Sequence, residues 1–281
     1  MNLAFTKMHG LGNDFVVLDF TETQFDVSAE IATHIADRNF GIGCDQILIV
    51  EHSNRPDIDF KYRILNSDGS EVGQCGNGSR CFVRYVHEKG LSDKNPIRVE
   101  TISGEMTLTA HEDSNLVTVN MGEPRFNPVD IPIQQEEPRV TYLLDIDNET
   151  IEFSAVSMGN PHAVILVDDV QNAPVLTLGP TLESHPVFPE RANIGFMQVN
   201  SRSDINLRVF ERGSGETIAC GSGTCAAVVA GIQRGLLDQK VTAHLQGGEL
   251  TIEWNGQGSP VMMTGPAETS FEGTIRIEDQ K

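Results

Sequence analysis

The chain has no long run of apolar residues. It has 281 residues, of which 39% are hydrophobic, so it can bury a sizeable core. Its apolar stretches, such as residues 163–167, are far shorter than the roughly 20 residues that cross a bilayer as a helix. Residues 1–7 also lack the charged head and apolar segment of a secretory signal. We therefore expect a cytoplasmic protein with no membrane segment.

Basic residues are scarce. The 20 lysines and arginines are outnumbered by 40 acidic residues, which gives a formal net charge of −20. Such a surface repels phosphate backbones, so we expect no nucleic-acid partner. Only six residues are lysines, and Lys89 is the only one in the repeated motifs described below. A pyridoxal-phosphate enzyme needs a Schiff-base lysine, so this scarcity argues against that class.

Signatures of nucleotide and metal binding are missing from the sequence. Neither glycine-rich phrase of the chain completes Gly-x-Gly-x-x-Gly, and no lysine follows as it does in a P-loop. There is no His-Glu-x-x-His motif. Cys75 and Cys81 are separated by five residues, more than the roughly two to four that are typical of zinc ligands, and Cys81 is expected inside a helix. The sequence therefore predicts no cofactor and no metal.

Cysteine is rare and odd in number. The five cysteines are Cys44, Cys75, Cys81, Cys220 and Cys225. An odd count without a secretion signal indicates reduced thiols rather than a disulfide framework. We predict that Cys81 and Cys225 lie inside apolar helices as core residues, and that Cys44 is also buried.

One glycine-rich phrase occurs twice. Residues 71–79 read Glu-Val-Gly-Gln-Cys-Gly-Asn-Gly-Ser, and residues 216–224 read Glu-Thr-Ile-Ala-Cys-Gly-Ser-Gly-Thr. Further matches follow in the same order at nearly the same separation. They pair Asn13 with Asn160, Gln46 with Asn193, Asn66 with Glu211, Gly90 with Gly235 and Gly104 with Gly248. A two-unit repeat of this length predicts two similar domains.

Turn residues suggest where the two domains meet. Glycine and prolines interrupt residues 121–130, so we predict a first domain of residues 1–120 plus 266–281 and a second of residues 121–265. Each half reads mostly as short strands, with two helices. Ser28 is a candidate cap for one helix, and another follows each of Cys75 and Cys220. The helix after Cys220 is apolar on all sides, which predicts a sheet wrapped around it.

The two phrases place a thiol at a helix start. The helix N-terminus binds carboxylates and favours thiolate, so we expect it to lower the pKa of both thiols. Thiols facing each other across a bound carbon can move a proton, since one accepts it as thiolate while the other donates. The helix N-termini would stabilise the charge that develops on the carboxylate. Packed cysteines, a dithiol redox protein and a non-catalytic binding module are the alternatives.

The other matched positions are mostly amides. Asn13, Gln46, Asn66, Asn160 and Asn193 can form a ring of ligand-binding groups, although loop asparagines are commonly turn formers. The two halves of the repeat differ at Glu211 and Arg212. These residues can bind an ammonium and a carboxylate of one ligand, or they can form a surface ion pair. When the two halves of the repeat are aligned, His162 corresponds to Phe15. It is either a packed histidine or a group that tunes a thiol.

Several motifs together resemble the diaminopimelate epimerase family. They are residues 7–15 (Lys-Met-His-Gly-Leu-Gly-Asn-Asp-Phe), 41–46 (Gly-Ile-Gly-Cys-Asp-Gln), 66–70 with 75–78, 158–162 (Met-Gly-Asn-Pro-His), and 211–217 with 219–223. The similarity runs essentially from end to end. It implies an α+β fold of two pseudo-symmetric domains, each a β-barrel-like sheet around a central helix, with the active site in the cleft between them.

The resemblance also implies an activity and a set of site residues. The activity is cofactor-independent epimerisation of LL-2,6-diaminopimelate to the meso form, in bacterial synthesis of lysine and peptidoglycan precursors. Cys75 and Cys220 match the acid/base pair. Gly76, Asn77, Gly221 and Ser222 match the helix starts that hold the reacting carboxylate. The substrate-binding matches are Asn13, Gln46, Asn66, Asn160, Asn193, Glu211 and Arg212, and His162 and Glu211 match groups that adjust the thiols.

Two further points concern assembly and substrate class. Family members are often homodimers, and Phe271 stands where an aromatic dimer contact, commonly tyrosine, is expected. A proline-racemase-like enzyme on the same scaffold is the nearest alternative. Glu211 and Arg212 argue against it, because a monocarboxylic substrate has no distal amino-acid head for them to bind.

Overall fold

The computed structural model describes residues 1–73, 75–111, 114–146 and 149–277. These residues divide into two units. Unit 1 comprises the described residues of Met1–Asn120 and Gly265–Lys281, and unit 2 those of Met121–Thr264. None of the helices in the described part of the chain has both the length and the apolar character needed to traverse a lipid bilayer.

Unit 1 is built from nine strands and two helices within its described residues. The strands are β1 (Asn2–Gly10), β2 (Asn13–Asp19), β3 (Gln46–His52), β4 (Phe60–Asn66), β5 (Glu71–Val72), β6 (Ile97–Thr101), β7 (Gly104–Ala110), β8 (Leu116–Asn120) and β18 (Glu268–Arg276). The helices are α1 (Ala29–Ala36) and α2 (Gly76–Glu88). The predicted cap of α1 is confirmed, since the Ser28 side chain accepts a hydrogen bond from the Ile31 N–H.

Unit 2 has the same kinds of element in its described residues. The strands are β9 (Tyr142–Ile146), β10 (Glu149–Ser157), β11 (Pro161–Leu166), β12 (Asn193–Ser201), β13 (Asp204–Glu211), β14 (Gly215–Thr217), β15 (Lys240–Leu245), β16 (Gly248–Glu253) and β17 (Met262–Pro266), which begins in unit 2. The helices are α3 (Val175–Glu183) and α4 (Gly221–Gln233). The prediction of two helices in each half is therefore confirmed.

Strand pairing repeats from one unit to the other. The order in unit 1 is β18-β1-β2-β3-β4-β6-β7-β8, with β5 also on β4. The order in unit 2 is β9-β10-β11-β12-β13-β15-β16-β17, with β14 also on β13. Parallel pairs occur at β2–β3 and β4–β6, and at their counterparts β11–β12 and β13–β15. Strand sense thus agrees at every step, as a duplication requires.

A buried helix runs through the middle of each unit. Within unit 1, α2 packs against β1, β2, β3, β7, β8 and β18, and within unit 2, α4 packs against β10, β11, β12, β13, β15 and β16. The small apolar residues of α4 leave room for strands on all sides, so Thr224–Gly231 are all buried. Cys81 and Cys225 lie inside these helices with no exposed surface, as predicted for core residues. Cys44 is buried as well.

The second helix of each unit covers the other face of the strands. Ala32 and Ile35 of α1 share a cluster with Val16, Ile47 and Ile49 of the parallel strands β2 and β3. Strands covered on both faces must be apolar at successive positions, which explains the unbroken run of residues 47–50. Leu182 of α3 belongs to the corresponding cluster of unit 2. The helices thus hold β2, β3 and their counterparts in place, and several predicted site residues lie at the ends of these strands.

Candidate active site

Cys75 and Cys220 are the N-cap residues of α2 and α4. The Sγ atom of Cys75 accepts a hydrogen bond from the Gly78 N–H at 3.4 Å, and Cys220 Sγ accepts one from Gly223 N–H at 3.4 Å. Both residues are extended, with φ/ψ of −145°/107° and −111°/107°. A short acceptor side chain at this position satisfies an N–H that the helix itself leaves without a partner. The predicted helix starts are therefore confirmed, with one geometry in both units.

A hydroxyl one turn into each helix completes the cap. Ser79 Oγ donates to the Cys75 carbonyl at 2.9 Å, and Thr224 Oγ1 donates to the Cys220 carbonyl at 2.7 Å. Glycine is needed beside the sulfurs for a steric reason. A Cβ atom at Gly78 would lie 2.6 Å from the Tyr62 hydroxyl oxygen, and one at Gly223 would lie 3.1 Å from Cys220 Sγ. The repeated Cys-Gly-x-Gly phrase thus encodes a tightly packed helix start.

The two thiols differ in exposure. Cys75 is partly exposed, whereas Cys220 is only 4% exposed. Burial raises the pKa of Cys220 well above its usual value, the nearby Glu211 carboxylate raises it further, and hydrogen bonds from Gly223 and Ser222 oppose the shift. The expectation that the helix start lowers this pKa is therefore wrong for Cys220, because desolvation outweighs the helix N-terminus.

Unit 1 gathers amide side chains around Cys75. Asn13 Oδ1 accepts a hydrogen bond from Asn77 Nδ2 at 3.2 Å and lies 3.9 Å from Cys75 Sγ. Gln46 and Asn66 are opposite each other in the β3–β4 register, and Gln46 Nε2 donates to Asn66 Oδ1 at 2.9 Å. The predicted residues of this unit therefore form two polar pairs at the ends of β2, β3 and β4.

An acidic residue that sequence reasoning missed orients Asn13. Asp45 Oδ2 accepts from Asn13 Nδ2 at 2.8 Å, and a carboxylate can only accept, so the amide oxygen of Asn13 must point toward Asn77 and Cys75. Arg38 bridges Asp45 and Asp14 at 2.7 Å and 2.8 Å. The position of Asp45 between Cys44 and Gln46, within the quoted motif, was the available signal.

Asp14 links this network to β1, because it contacts both Arg38 and Lys7. Partial burial acts to raise its pKa, but hydrogen bonds from Arg38 and Lys7 outweigh burial and lower the pKa to about 2. Lys7, which is itself buried, contacts Asp14 at 2.5 Å and also donates to the Gly43 carbonyl. Asp14 is thus ionised at neutral pH, and these contacts hold the loop before β3 against the β1–β2 hairpin.

In unit 2 a polar chain leads from His162 to Cys220. His162 Nε2 is 2.9 Å from Asn160 Oδ1, Asn160 Nδ2 is 3.4 Å from Ser222 Oγ, and Ser222 Oγ is 3.8 Å from Cys220 Sγ. His162 is 1% exposed. Burial, with the nearby positive charge of Arg212, lowers its pKa to about 3. The imidazole is therefore neutral at physiological pH and positions Asn160 as a hydrogen-bonding group.

Glu211 and Arg212 lie at the end of β13. The Glu211 carboxylate accepts a hydrogen bond from Thr217 Oγ1, and Arg212 Nη1 donates to the Glu190 carbonyl at 3.0 Å. Asn193 fixes the backbone between these strands: its Nδ2 donates to the Pro161 carbonyl and its Oδ1 accepts the Arg212 N–H, both at 3.0 Å. Unit 2 therefore places a carboxylate, an exposed guanidinium and a buried thiol on neighbouring segments.

The last of the predicted residues, Phe271, is not part of these clusters. Phe271 lies on β18, is 51% exposed, and meets Phe5 edge to face with ring centroids 6.0 Å apart. Within the described residues, no three or more histidine, cysteine, aspartate or glutamate side chains converge as metal ligands.

Comparison with known proteins identifies the family. Residues 5–127 and 154–270 match the family described as diaminopimelate epimerase. The chain belongs to the diaminopimelate epimerase family. It is 57% identical to the diaminopimelate epimerase of Cupriavidus taiwanensis, over 99% of this chain and 98% of that protein. It is 55% identical to that of Nitrosospira multiformis, over 99% of this chain and 100% of the relative.

Solved structures with lower identity share the fold. A hydroxyproline epimerase from Agrobacterium vitis, with bound trans-4-hydroxy-L-proline, has a TM-score of 0.72 at 15% identity and covers 99% of this chain and 93% of its own. A phenazine biosynthesis protein of the PhzF family from Bacillus anthracis has a TM-score of 0.69 at 14% identity and covers 99% and 100%. At this sequence identity, these structures show similarity of fold only. The predicted diaminopimelate epimerase-like fold is confirmed.

Proposed function

We propose that this member of the diaminopimelate epimerase family converts LL-2,6-diaminopimelate to meso-diaminopimelate without a cofactor, using Cys75 and Cys220 as its acid/base pair. The observation that carries the proposal is the repeated thiol cap. In both units a sulfur lies 3.4 Å from a glycine N–H at the start of a buried helix. Family membership supplies the substrate, and the duplicated caps supply one proton-transfer group for each face of its α-carbon.

The chemistry is a balanced pair of proton transfers. One sulfur, as thiolate, takes the α-proton from one face of the substrate carbon, and the other, as thiol, gives a proton to the opposite face. The carbon is inverted and the two sulfurs have exchanged protonation states. The α-carboxylate is bound at the helix N-termini by backbone N–H groups of Gly76, Asn77, Gly221 and Ser222. These dipoles favour negative charge as the α-proton leaves.

We assign Cys220 the protonated role in the resting enzyme. It is the more buried of the two thiols, and both burial and Glu211 raise its pKa. Cys75, which is partly exposed, is then the base that acts first. In the reverse direction the roles exchange, because Cys75 then carries the proton.

The charged residues of unit 2 account for the choice of substrate. Diaminopimelate carries a second amino-acid head, so its distal ammonium is assigned to Glu211 and its distal carboxylate to Arg212. Asn13, Gln46, Asn66, Asn160 and Asn193 are assigned to the remaining polar groups of the substrate. A proline-like substrate has no second amino-acid group, so it offers nothing for Glu211 and Arg212 to bind.

The setting of the enzyme is part of the same proposal. The reaction belongs to the synthesis of lysine and peptidoglycan precursors, in the cytoplasm. We also propose a homodimer in which exposed Phe271 takes part in the contact between subunits, because its ring on β18 packs against that of Phe5 on the neighbouring strand β1 and adds apolar surface there.

The test is turnover in heavy water with reduced protein and no added cofactor. LL-diaminopimelate should become meso-diaminopimelate that carries deuterium at one α-carbon. Cys75→Ala and Cys220→Ala should each abolish conversion while calorimetry still detects substrate binding. Cys44→Ala, which removes a buried thiol away from the helix starts, is the control and should retain turnover. Retained conversion in either catalytic variant removes that thiol from the mechanism. Turnover that reductant abolishes favours the dithiol redox alternative.

A further inference from the structure

Glu183 is a buried carboxylate outside the predicted site. It is the last residue of α3 and is only 2% exposed. Its Oε1 atom accepts the Gly213 N–H at 2.9 Å and pairs with Arg191 Nη2 at 2.5 Å. An ionised carboxylate is costly to bury unless hydrogen bonds and a counter-charge compensate, and both are present here. Because Gly213 follows Arg212 in the chain, this hydrogen bond fixes the backbone next to Arg212.

The stretch from the last residue of α3 to the first residue of β12 holds the Arg212 loop at three points. Glu183 accepts the Gly213 N–H, Glu190 accepts from the guanidinium of Arg212 at 3.0 Å, and Asn193 accepts the Arg212 N–H at 3.0 Å. Arg191, between these groups, has a positive φ of 61°, a conformation that a non-glycine residue adopts at some cost. Its ion pair with Glu183 and the hydrogen bond from Ala192 N–H to the Glu183 carbonyl at 3.1 Å compensate for that cost.

The matched loop of unit 1 is built differently. Ser67 stands where unit 2 has Arg212. Both loops share one backbone turn, in which the Gly69 N–H donates to the Asn66 carbonyl at 2.9 Å and the Ser214 N–H to the Glu211 carbonyl at 3.2 Å. In unit 1 the carboxylate that caps the turn belongs to the loop itself, since Asp68 Oδ1 accepts the Ser70 N–H at 2.9 Å. Because unit 1 has a serine at this position, no guanidinium has to be positioned there, and a local turn is sufficient. The buried carboxylate therefore accompanies the charged residue that breaks the symmetry of the duplication.

We propose that Glu183, paired with Arg191, is a positioning residue that sets selectivity for a substrate with a second carboxylate. It does so by fixing the Gly213 backbone, and with it the direction in which Arg212 presents its guanidinium. The inference rests on the proposed function, because it assigns Arg212 to the distal carboxylate of diaminopimelate.

Selectivity is tested with two ligands. L-lysine is diaminopimelate without the distal carboxylate, so it should be insensitive to the direction of Arg212. In Glu183→Ala we expect the KM for diaminopimelate to rise roughly ten-fold, with a smaller change in kcat, while the inhibition constant of L-lysine stays the same. Glu183→Gln keeps an acceptor for the Gly213 N–H and should restore most of the loss. An unchanged KM, or an equal weakening of both ligands, overturns the inference.

Hydrogen exchange at Gly213 gives a readout that does not depend on turnover. Its amide should exchange faster in Glu183→Ala than in wild type, and Glu183→Gln should restore protection. Glu152→Ala removes another ion pair of unit 2, with Arg234 at 2.5 Å, and should change neither exchange nor KM. Unchanged exchange in Glu183→Ala refutes the inference. Absence of diaminopimelate turnover in wild type refutes the proposed function instead, so the two failures are distinguishable.

Discussion

The neutral, buried state of His162 makes a quantitative prediction about stability. Burial, assisted by Arg212, lowers the pKa of His162 from 6.5 to about 3. Between these values the unfolded chain binds a proton at His162 that the folded chain does not, so the folded state loses stability as the pH falls. The loss is about 1.4 kcal/mol per pH unit. From about pH 7.5 to about pH 4.5, this one group should therefore remove about 2.5 kcal/mol from the free energy of unfolding.

The substitution that isolates this effect is His162→Phe, because Phe15 is the residue at the matched position of unit 1. The variant loses the hydrogen bond between His162 and Asn160, so it should be less stable than wild type at neutral pH. It also lacks the titrating imidazole, while every other ionisable group remains in both proteins. The stability gap between wild type and variant should therefore shrink by about 2.5 kcal/mol as the pH falls over this range.

Urea unfolding at a series of pH values measures the gap. Trp254 is the only tryptophan of the chain, lies in unit 2 and is 2% exposed, so its fluorescence reports on the unit that contains His162. A gap that stays constant with pH would show that His162 titrates normally in the folded protein. A gap that widens at low pH would show that the fold prefers the imidazolium, and either result refutes the reasoning.

Three further predictions follow from single contacts. Gly78→Ala places a Cβ atom 2.6 Å from the buried Tyr62 hydroxyl, so it should displace the start of α2, lower the free energy of unfolding by about 2 kcal/mol in thermal denaturation, and slow turnover. Arg212→Ala should raise the KM for diaminopimelate about 100-fold with a smaller effect on kcat, and an unchanged KM would show that Arg212 does not bind the distal carboxylate. Phe271→Asp should shift the sedimentation of the native protein from dimer to monomer, and an unchanged sedimentation coefficient would exclude Phe271 from the subunit contact.

The helix starts could be predicted because their chemistry is local. A cysteine followed by Gly-x-Gly, an apolar helix and a cation–glycine end contains its own cap, its close packing and its stop. Repetition of the phrase then predicted that the two thiols act as a pair. The buried α4 was equally predictable, because small apolar residues on all sides leave no face for solvent.

Groups that position the site were harder to see in the sequence. Asp45 orients Asn13 and Glu183 holds Gly213, but each partner is about 30 residues away along the chain. Only the folded strands bring them together, and an isolated acidic residue usually indicates an exposed surface. Asp45 lies between the motif residues Cys44 and Gln46, whereas Glu183 is the last residue of a helix that contains Pro180 and belongs to no motif.

The ionisation of Cys220 shows the limit of local reasoning. A helix N-terminus favours thiolate, and the sequence alone displays that influence. Burial at 4% exposure and the Glu211 carboxylate act in the opposite direction and dominate the pKa. Glu211 precedes Cys220 in the same motif, but its effect on the thiol depends on how β13 and α4 pack.

The early distribution of deuterium tests the two-thiol mechanism most directly. LL-diaminopimelate is incubated with the reduced protein in heavy water, and product and recovered substrate are analysed by mass spectrometry before a tenth of the substrate has reacted. If one thiol removes the proton and the other delivers a different proton to the opposite face, the first meso-diaminopimelate carries one deuterium and the recovered substrate carries almost none. Deuterium entering the recovered substrate as fast as the product would mean that a single group serves both faces, and would contradict the paired roles of Cys75 and Cys220.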